Sequence, residues 1–162
     1  MVNAISAIVA VAGTLLGSAV TYLFQSKTSQ RAEESAFQRE LRVEQMGAYR
    51  SLATALTEFR RGQLDWYNRR KEDPDSAATL AARVDSYRLR GVAQTALAQL
   101  QLVASEPALV AAANEAFELT RTVHYAQDSA DLDARTEQAE KAVSRFVTLA
   151  AAELQSVRVA RS

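Results

Sequence analysis

The apolar and charged positions divide the chain near residue 26. No Asp, Glu, Lys, Arg or His occurs before Lys27, and the stretch from Ile5 to Phe24 is one continuous apolar run. About 20 residues at a rise of 1.5 Å per residue cover the roughly 30 Å hydrocarbon core of a bilayer. The pattern therefore predicts a single transmembrane helix that anchors the protein through residues 1–26.

A secretory signal peptide is the alternative interpretation of this stretch. Such a peptide has a basic N-terminal region, a shorter apolar core and a cleavage site between small residues. Here no Lys or Arg precedes the apolar run, although Gly17 and Ala19 resemble a cleavage site. We therefore prefer a retained anchor.

The charges that flank the span predict its orientation. Lys27, Arg31, Arg39 and Arg42 follow it within about 20 residues, whereas only the α-amino group precedes it. The positive-inside rule then places the N-terminus outside and the C-terminal domain in the cytoplasm. We expect a single-pass protein of the cell membrane, with the lipid bilayer as its first partner.

Small residues recur on one face of the predicted span. They are Ser6, Ala10, Gly13, Gly17 and Thr21. The Gly-x-x-x-Gly-x-x-x-Thr spacing resembles the dimerisation pattern of the glycophorin A transmembrane helix, with Thr14 and Ser18 in place of apolar β-branched neighbours. Small side chains let helices approach closely in lipid, so we expect a homodimer or a higher homo-oligomer. The alternative is that such residues are simply common in membrane helices.

The rest of the chain has the composition of an all-α domain. It is rich in Ala, Leu, Glu, Gln and Arg, and the whole sequence has only 5 Gly and 2 Pro. Short polar turns around the prolines favour antiparallel neighbours. We predict a helical stalk over 27–44 and an antiparallel bundle over 45–162, with helices at about 45–71, 75–104, 106–126 and 132–159.

Details of this bundle also follow from the pattern. The stalk is either a solvated helix or a weak coiled-coil seam with a second copy. Ser105 is the expected N-cap of the third helix, and Asp131 or Asp133 that of the fourth. The second helix carries an apolar face whose spacing of three and four residues predicts burial. Its members are Leu89, Val92, Ala93, Ala96, Leu100 and Val103.

A segment of mixed basic and aromatic residues precedes the first turn of the bundle. Its members are Arg60, Arg61, Trp66, Tyr67, Arg69, Arg70 and Lys71. Such a mixture suits phosphate contact with base stacking, or cation–π capture of a protein. Carboxylates lie close by, and cations in the last helical turn complement the macrodipole. Helix capping, with Trp66 as an anchor at the end of the bundle, ranks before a protein-interaction patch and before nucleic-acid binding.

The candidate metal ligands lack partners. His124 is the only histidine, and an arginine stands three residues before it, so the Glu-x-x-His motif of di-iron bundles is missing. Asp128, Asp131 and Asp133 alternate as in a calcium loop, but Asp133 and Ala139 occupy the positions of its invariant Gly and Glu. We expect His124 to be an ordinary helix-surface or end-of-helix residue, and we expect no metal and no cofactor.

Overall charge and motif content narrow the function further. Nineteen basic and nineteen acidic residues cancel, which argues against nucleic acid as a partner. The chain has no cysteine, which excludes disulfides and thiol catalysis, and it has no phosphate-binding loop or nucleophile motif. We expect a protein that is not an enzyme.

The first 30 residues resemble a known group of proteins. The run from Val2 to Ser18, followed by Thr21 to Lys27, looks like the start of small uncharacterised single-pass membrane proteins from actinobacteria. The Ala- and Arg-rich composition suits such a high-GC source. The resemblance implies an anchor, and no activity is assigned to that group.

These observations lead to one main hypothesis and two alternatives. The main one is a membrane-anchored helical scaffold or adaptor that self-associates through its span. The first alternative is a membrane-tethered sensor whose bundle binds a ligand. The second is an accessory component of a larger membrane assembly that serves secretion, conjugation or phage defence, with an unidentified protein partner.

Overall fold

The structure is a computed structural model, which describes the backbone of residues 2–159 and the side chains of residue 34 and residues 36–155. Over these residues the only regular secondary structure is helical, with no strand, as the composition predicted. The helices, in chain order, are α1 (Val2–Glu72), α2 (Ala77–Val103), α3 (Pro107–Thr122) and α4 (Ser129–Val159), and a 3-10 turn (Val123–Tyr125) follows α3. The chain divides into two compact units, Met1–Leu41 and Arg42–Ser162.

The predicted anchor lies in a part of the chain whose side chains the structure does not describe. Residues 1–26, and with them the small-residue face, lie outside the described side chains. Within the described part of the chain, no helix is long and apolar enough to cross a membrane. The anchor, its orientation, the resemblance of the first 30 residues and the stalk at 27–44 stay predictions.

Residues 42–155 form an alanine-rich helical bundle. Phe59, Phe146, Leu52 and Leu100 are completely buried, and the rings of Phe59 and Phe117 lie 6.0 Å apart. Between these large residues the core is lined mainly by alanines, which allow helices to approach closely. The buried alanines of this core cluster are Ala55, Ala93, Ala96, Ala112, Ala113, Ala116, Ala142 and Ala150.

The turn between α1 and α2 is fixed by Ser76. Its hydroxyl accepts a hydrogen bond from the backbone N–H of Thr79 at 3.1 Å, which satisfies one of the unpaired donors of the first helical turn. The Thr79 hydroxyl in turn donates to the carbonyl of Asp73 at 2.7 Å. Helix α2 therefore begins after Ser76, slightly later than proline placement predicted.

Two predicted N-caps are wrong. Glu106 holds the N-cap position of α3 without a side-chain hydrogen bond, and the N–H of Ser105 instead donates to Glu153 at 2.9 Å. Before α4, Asp128 accepts from the N–H of Asp131 at 2.8 Å, and Asp131 accepts from the N–H of Gln127 at 3.0 Å. Asp128 is thus the cap, so the helix starts earlier than expected. Asp131 lies in the first turn, and its carboxylate reaches back to the residue before the cap.

Candidate interaction surface

The aromatic residues of the predicted patch are largely used inside the bundle. Tyr67 is buried, and the Trp66 ring stacks on the imidazole of His124 at 4.3 Å between ring centroids. Trp66 also lies 6.0 Å from the ring of Tyr87 on α2. These rings join α1, α2 and the 3-10 turn at one end of the bundle. Trp66 is therefore placed as an anchor at the end of the bundle.

The cations of that segment do not form one surface. Arg60 pairs with Glu140 of α4, whereas Arg61 and Arg69 pair with carboxylates one turn away on α1. Arg70 donates to the carbonyl of His124 at 2.8 Å and lies 5.9 Å from the Trp66 ring centroid. Lys71 lies 5.9 Å from the ring centroid of Tyr67. Exposed ion pairs of this kind add little stability, so the structural part of the segment is the link from Arg70 to the 3-10 turn.

His124 lies at the end of a helix, which is one of its two predicted positions, and it is buried, so the helix-surface alternative is wrong. It is 8% exposed and lies in the 3-10 turn at the end of α3. Burial, with a smaller contribution from the nearby charge of Arg70, lowers the pKa of His124 to about 4. Arg121 and Arg90 add to this effect through their charges, while a hydrogen bond to the backbone of Arg121 opposes it. At neutral pH the imidazole is therefore an uncharged aromatic surface for Trp66.

Two buried polar clusters hold the helices in register. Near the middle, the side chain of Gln63 donates to the carbonyl of Arg121 at 3.2 Å and accepts from the hydroxyl of Ser86 at 3.2 Å. At one end, the buried Glu153 accepts from the hydroxyl of Tyr49 at 2.8 Å and from the N–H of Ser105. Buried polar groups of this kind are costly unless paired, so they specify one arrangement of the helices. We assign these clusters a structural role.

The outer face of α2 carries an exposed stripe of uncharged residues, which we call the α2 stripe. Its members are Leu80, Val84, Tyr87, Gly91, Thr95, Ala98 and Leu102. At 100° per residue these seven positions fall within an arc of about 80° around the helix. Leu80, Gly91 and Leu102 are spaced 11 residues apart. Leu102 is 86% exposed, and Leu80 and Val84 are each 61% exposed. The opposite face of α2, which includes Ala93 and Leu100, is buried in the core.

Open grooves lie beside α2, and two of them include a residue of the α2 stripe. One groove, of about 390 Å³, lies between α1 and α2, and Gly47 and Leu102 are among its lining residues. A second, of about 350 Å³, shares Gly47 and reaches Val92. A third, also about 350 Å³, opens beside the α1–α2 turn, where Trp66 and Leu80 are among its lining residues. The lining of these grooves is mixed: it includes Glu44 in the first, Arg50 and Glu58 in the second, and Arg70, Asp75 and Arg83 in the third.

Comparison with known proteins decides the family. The family model described as KilB plasmid transfer protein matches residues 46–154, about two thirds of the chain. The chain belongs to the KilB plasmid transfer protein family. No curated protein and no solved structure matches it. The part that matches the KilB model runs from α1 into α4 and includes the whole α2 stripe.

The periodicity of the sequence identified only one face of α2 in this KilB-family bundle. Ala93, Ala96 and Leu100 are buried as expected, but Val92, placed on the same face, is 48% exposed. The apolar positions of α2 form two opposed faces. A prediction that assumes a single apolar face therefore assigns exposed residues to the buried one. The 11-residue recurrence from Leu80 to Leu102 is the signal that identifies the second face.

Proposed function

We propose that this protein is a non-enzymatic, membrane-anchored helical adaptor that takes part in plasmid transfer. The observation that carries the proposal is the α2 stripe, an apolar surface about 33 Å long on the outside of a bundle whose family is described by plasmid transfer. Exposed apolar surface of this extent marks sites where another molecule binds. The family description favours the accessory component of a larger assembly over the sensor.

The anchor places the bundle at a membrane. The charge-free residues 1–26 span the bilayer, with the N-terminus outside and the bundle in the cytoplasm. The face that includes Gly13 and Gly17 pairs the spans of two or more copies. Adaptor molecules are thereby concentrated at the site where the transfer machinery crosses the membrane.

Membrane extraction tests the anchor. The full chain should stay with membranes washed in alkaline carbonate, and a chain that lacks residues 1–26 should be released. Replacement of Gly13 and Gly17 by Ile should weaken span association in a transmembrane two-hybrid assay, because larger side chains separate the helix backbones. Release of the full chain by carbonate would refute the anchor. Unchanged association of the Ile variant would refute self-association through the small-residue face.

Plasmid transfer tests the biological role. Deletion of the gene from its plasmid should lower the transfer frequency, and the full chain supplied in trans should restore it. The chain that lacks residues 1–26, expressed at the same level, should fail to restore transfer because the adaptor is no longer concentrated at the membrane. Normal transfer by the deletion plasmid would refute the proposed role.

A further inference from the structure

We infer that the α2 stripe binds an amphipathic helix of another protein, whose own apolar stripe is bordered by Glu or Asp. This inference rests on the proposed adaptor function and adds the chemistry of the partner. It follows from the shape of the stripe, its composition and the charges beside it.

The length and exposure of the stripe fit a helix laid along it. From Leu80 to Leu102 it extends over about 33 Å, six turns of helix. Of the ten large hydrophobic side chains that are exposed within the described residues, five lie on α2. A helix that is apolar on two opposite faces is normally covered on both. Recognition of an amphipathic helix along such a surface is a recurrent mode of protein binding.

The centre of the stripe is built from small residues. Gly91 is followed by Thr95 and Ala98 at successive turns, between the larger Tyr87 and Leu102. A Cβ atom added at Gly91 would meet nothing within 4 Å, so the fold of this chain does not require a glycine there. Glycine inside a helix is unfavourable relative to alanine, and close approach of another backbone is what its missing side chain provides. The middle of the stripe therefore carries only small side chains, which suits close approach of a docked helix.

The charges beside the stripe select an acidic partner. Arg83, Arg88 and Arg90 lie on its borders. Arg88 is paired at 2.9 Å with Asp85, the one acidic residue of α2, so Arg83 and Arg90 supply the net positive charge of the borders. Charged residues at the borders of paired helices decide which partners associate. Carboxylates on the docked helix would therefore face a basic border.

The same arginines disfavour a second copy of this chain on the stripe. Two parallel copies of α2 would bring Arg83 of one alongside Arg88 of the other, a repulsion that the Arg88–Asp85 pair partly offsets. Two antiparallel copies centred on Gly91 would bring the two Arg90 residues together. Like charges in these positions are repulsive, so we assign the stripe to a different protein.

Designed peptides test the inference without prior identification of the partner. Two fluorescent 22-residue helical peptides share one Leu/Ala stripe and differ only in Glu or Lys on its borders. Their binding is measured by anisotropy to the full chain in nanodiscs of zwitterionic lipid. We expect the Glu-bordered peptide to bind at least tenfold more tightly than the Lys-bordered peptide. Reversal of the three arginines to Glu should invert this preference.

A matched pair of valines provides the control for lipid binding and for folding. Val84 on the stripe is 61% exposed, and Val147 on α4, away from the stripe, is 46% exposed. Val84→Glu should abolish binding of the Glu-bordered peptide, whereas Val147→Glu should leave it unchanged. Both variants should keep the helical circular dichroism of the wild type, because neither side chain belongs to the core.

The other outcomes overturn either the inference or the proposed role, and they distinguish between the two. Equal binding of the two peptides, or equal behaviour of the two valine variants, would show that the stripe does not select an acidic helix. A dimer in sedimentation that Val84→Glu dissociates would assign the stripe to a second copy. Loss of transfer on gene deletion, together with absent peptide binding, would leave the adaptor role standing while this inference fails. Peptide binding with normal transfer in the deletion plasmid would refute the proposed role instead.

Discussion

The hydroxyl groups of two buried tyrosines should contribute very differently to stability. Tyr49 and Tyr67 are each 4% exposed. The Tyr49 hydroxyl donates to a carboxylate oxygen of the buried Glu153 at 2.8 Å, whereas the Tyr67 hydroxyl has no hydrogen-bond partner among the described residues. Burial, and then Glu153, raise the pKa of Tyr49, so its hydroxyl stays protonated and remains a donor at neutral pH. The same Tyr→Phe change at the two positions therefore compares a buried hydroxyl that has a hydrogen-bond partner with one that has none in the described part of the chain.

Tyr49→Phe should lower the free energy of unfolding by about 1.5–3 kcal/mol, because it removes a hydrogen bond to a charged group and leaves a buried carboxylate short of one donor. Tyr67→Phe should leave the stability unchanged or raise it by up to about 1 kcal/mol, because it removes a buried polar group that has no partner.

Urea unfolding of the full chain in detergent measures both changes. Far-UV circular dichroism reports the helices, and the fluorescence of Trp66, the one tryptophan, reports the end of the bundle. At an m value of about 1–3 kcal/mol/M, the loss for Tyr49→Phe corresponds to a midpoint lower by about 1 M. If Tyr49→Phe left the free energy of unfolding unchanged, or if both variants lowered it equally, the hydrogen bond from Tyr49 to Glu153 would not be a stabilising link.

Two further predictions concern helix packing and pH. Gly47→Ala should raise the unfolding free energy by about 0.5–1 kcal/mol, because its Cβ meets nothing within 4 Å, and alanine is the better helix former. Gly62→Ala should gain less stability than Gly47→Ala, since its Cβ would lie 2.6 Å from Cδ1 of Leu89 and that side chain would have to move; equal urea midpoints would contradict this. The pKa of His124 is lowered to about 4, first by burial and then by the charge of Arg70, so its contribution to stability is complete above pH 6.5. That contribution, about 3 kcal/mol, should be lost as the pH falls from 6.5 to about 4, and His124→Gln should flatten this part of the pH profile of unfolding; an unchanged slope would be evidence against it.

The sequence predicted the secondary structure well because composition and breakers act locally. Scarce glycine and proline predicted an all-helical bundle, and the turns lie next to Pro74 and Pro107 as expected. Caps were harder, because several polar residues in each turn are able to cap. Ser105 uses its N–H for Glu153, and only the packing of α4 against the α2–α3 turn decides this.

The candidate surface was less predictable for a related reason. Burial depends on which helix lies opposite, so the pattern alone placed Val92 on the wrong face and left open whether His124 lies on the surface of a helix or at its end. The basic and aromatic segment looked like one patch because its residues are adjacent in sequence. Around a helix they point in different directions, and Trp66 meets His124 while Arg60 meets Glu140.

Plasmid transfer by the matched valine variants tests the central claim most directly. The gene-deleted plasmid is complemented with the wild type, Val84→Glu or Val147→Glu, at equal protein levels in the membrane fraction. If partner binding at the α2 stripe is what the protein contributes, Val84→Glu should lower the transfer frequency at least tenfold and Val147→Glu should support normal transfer. Equal transfer by the two variants would contradict the account.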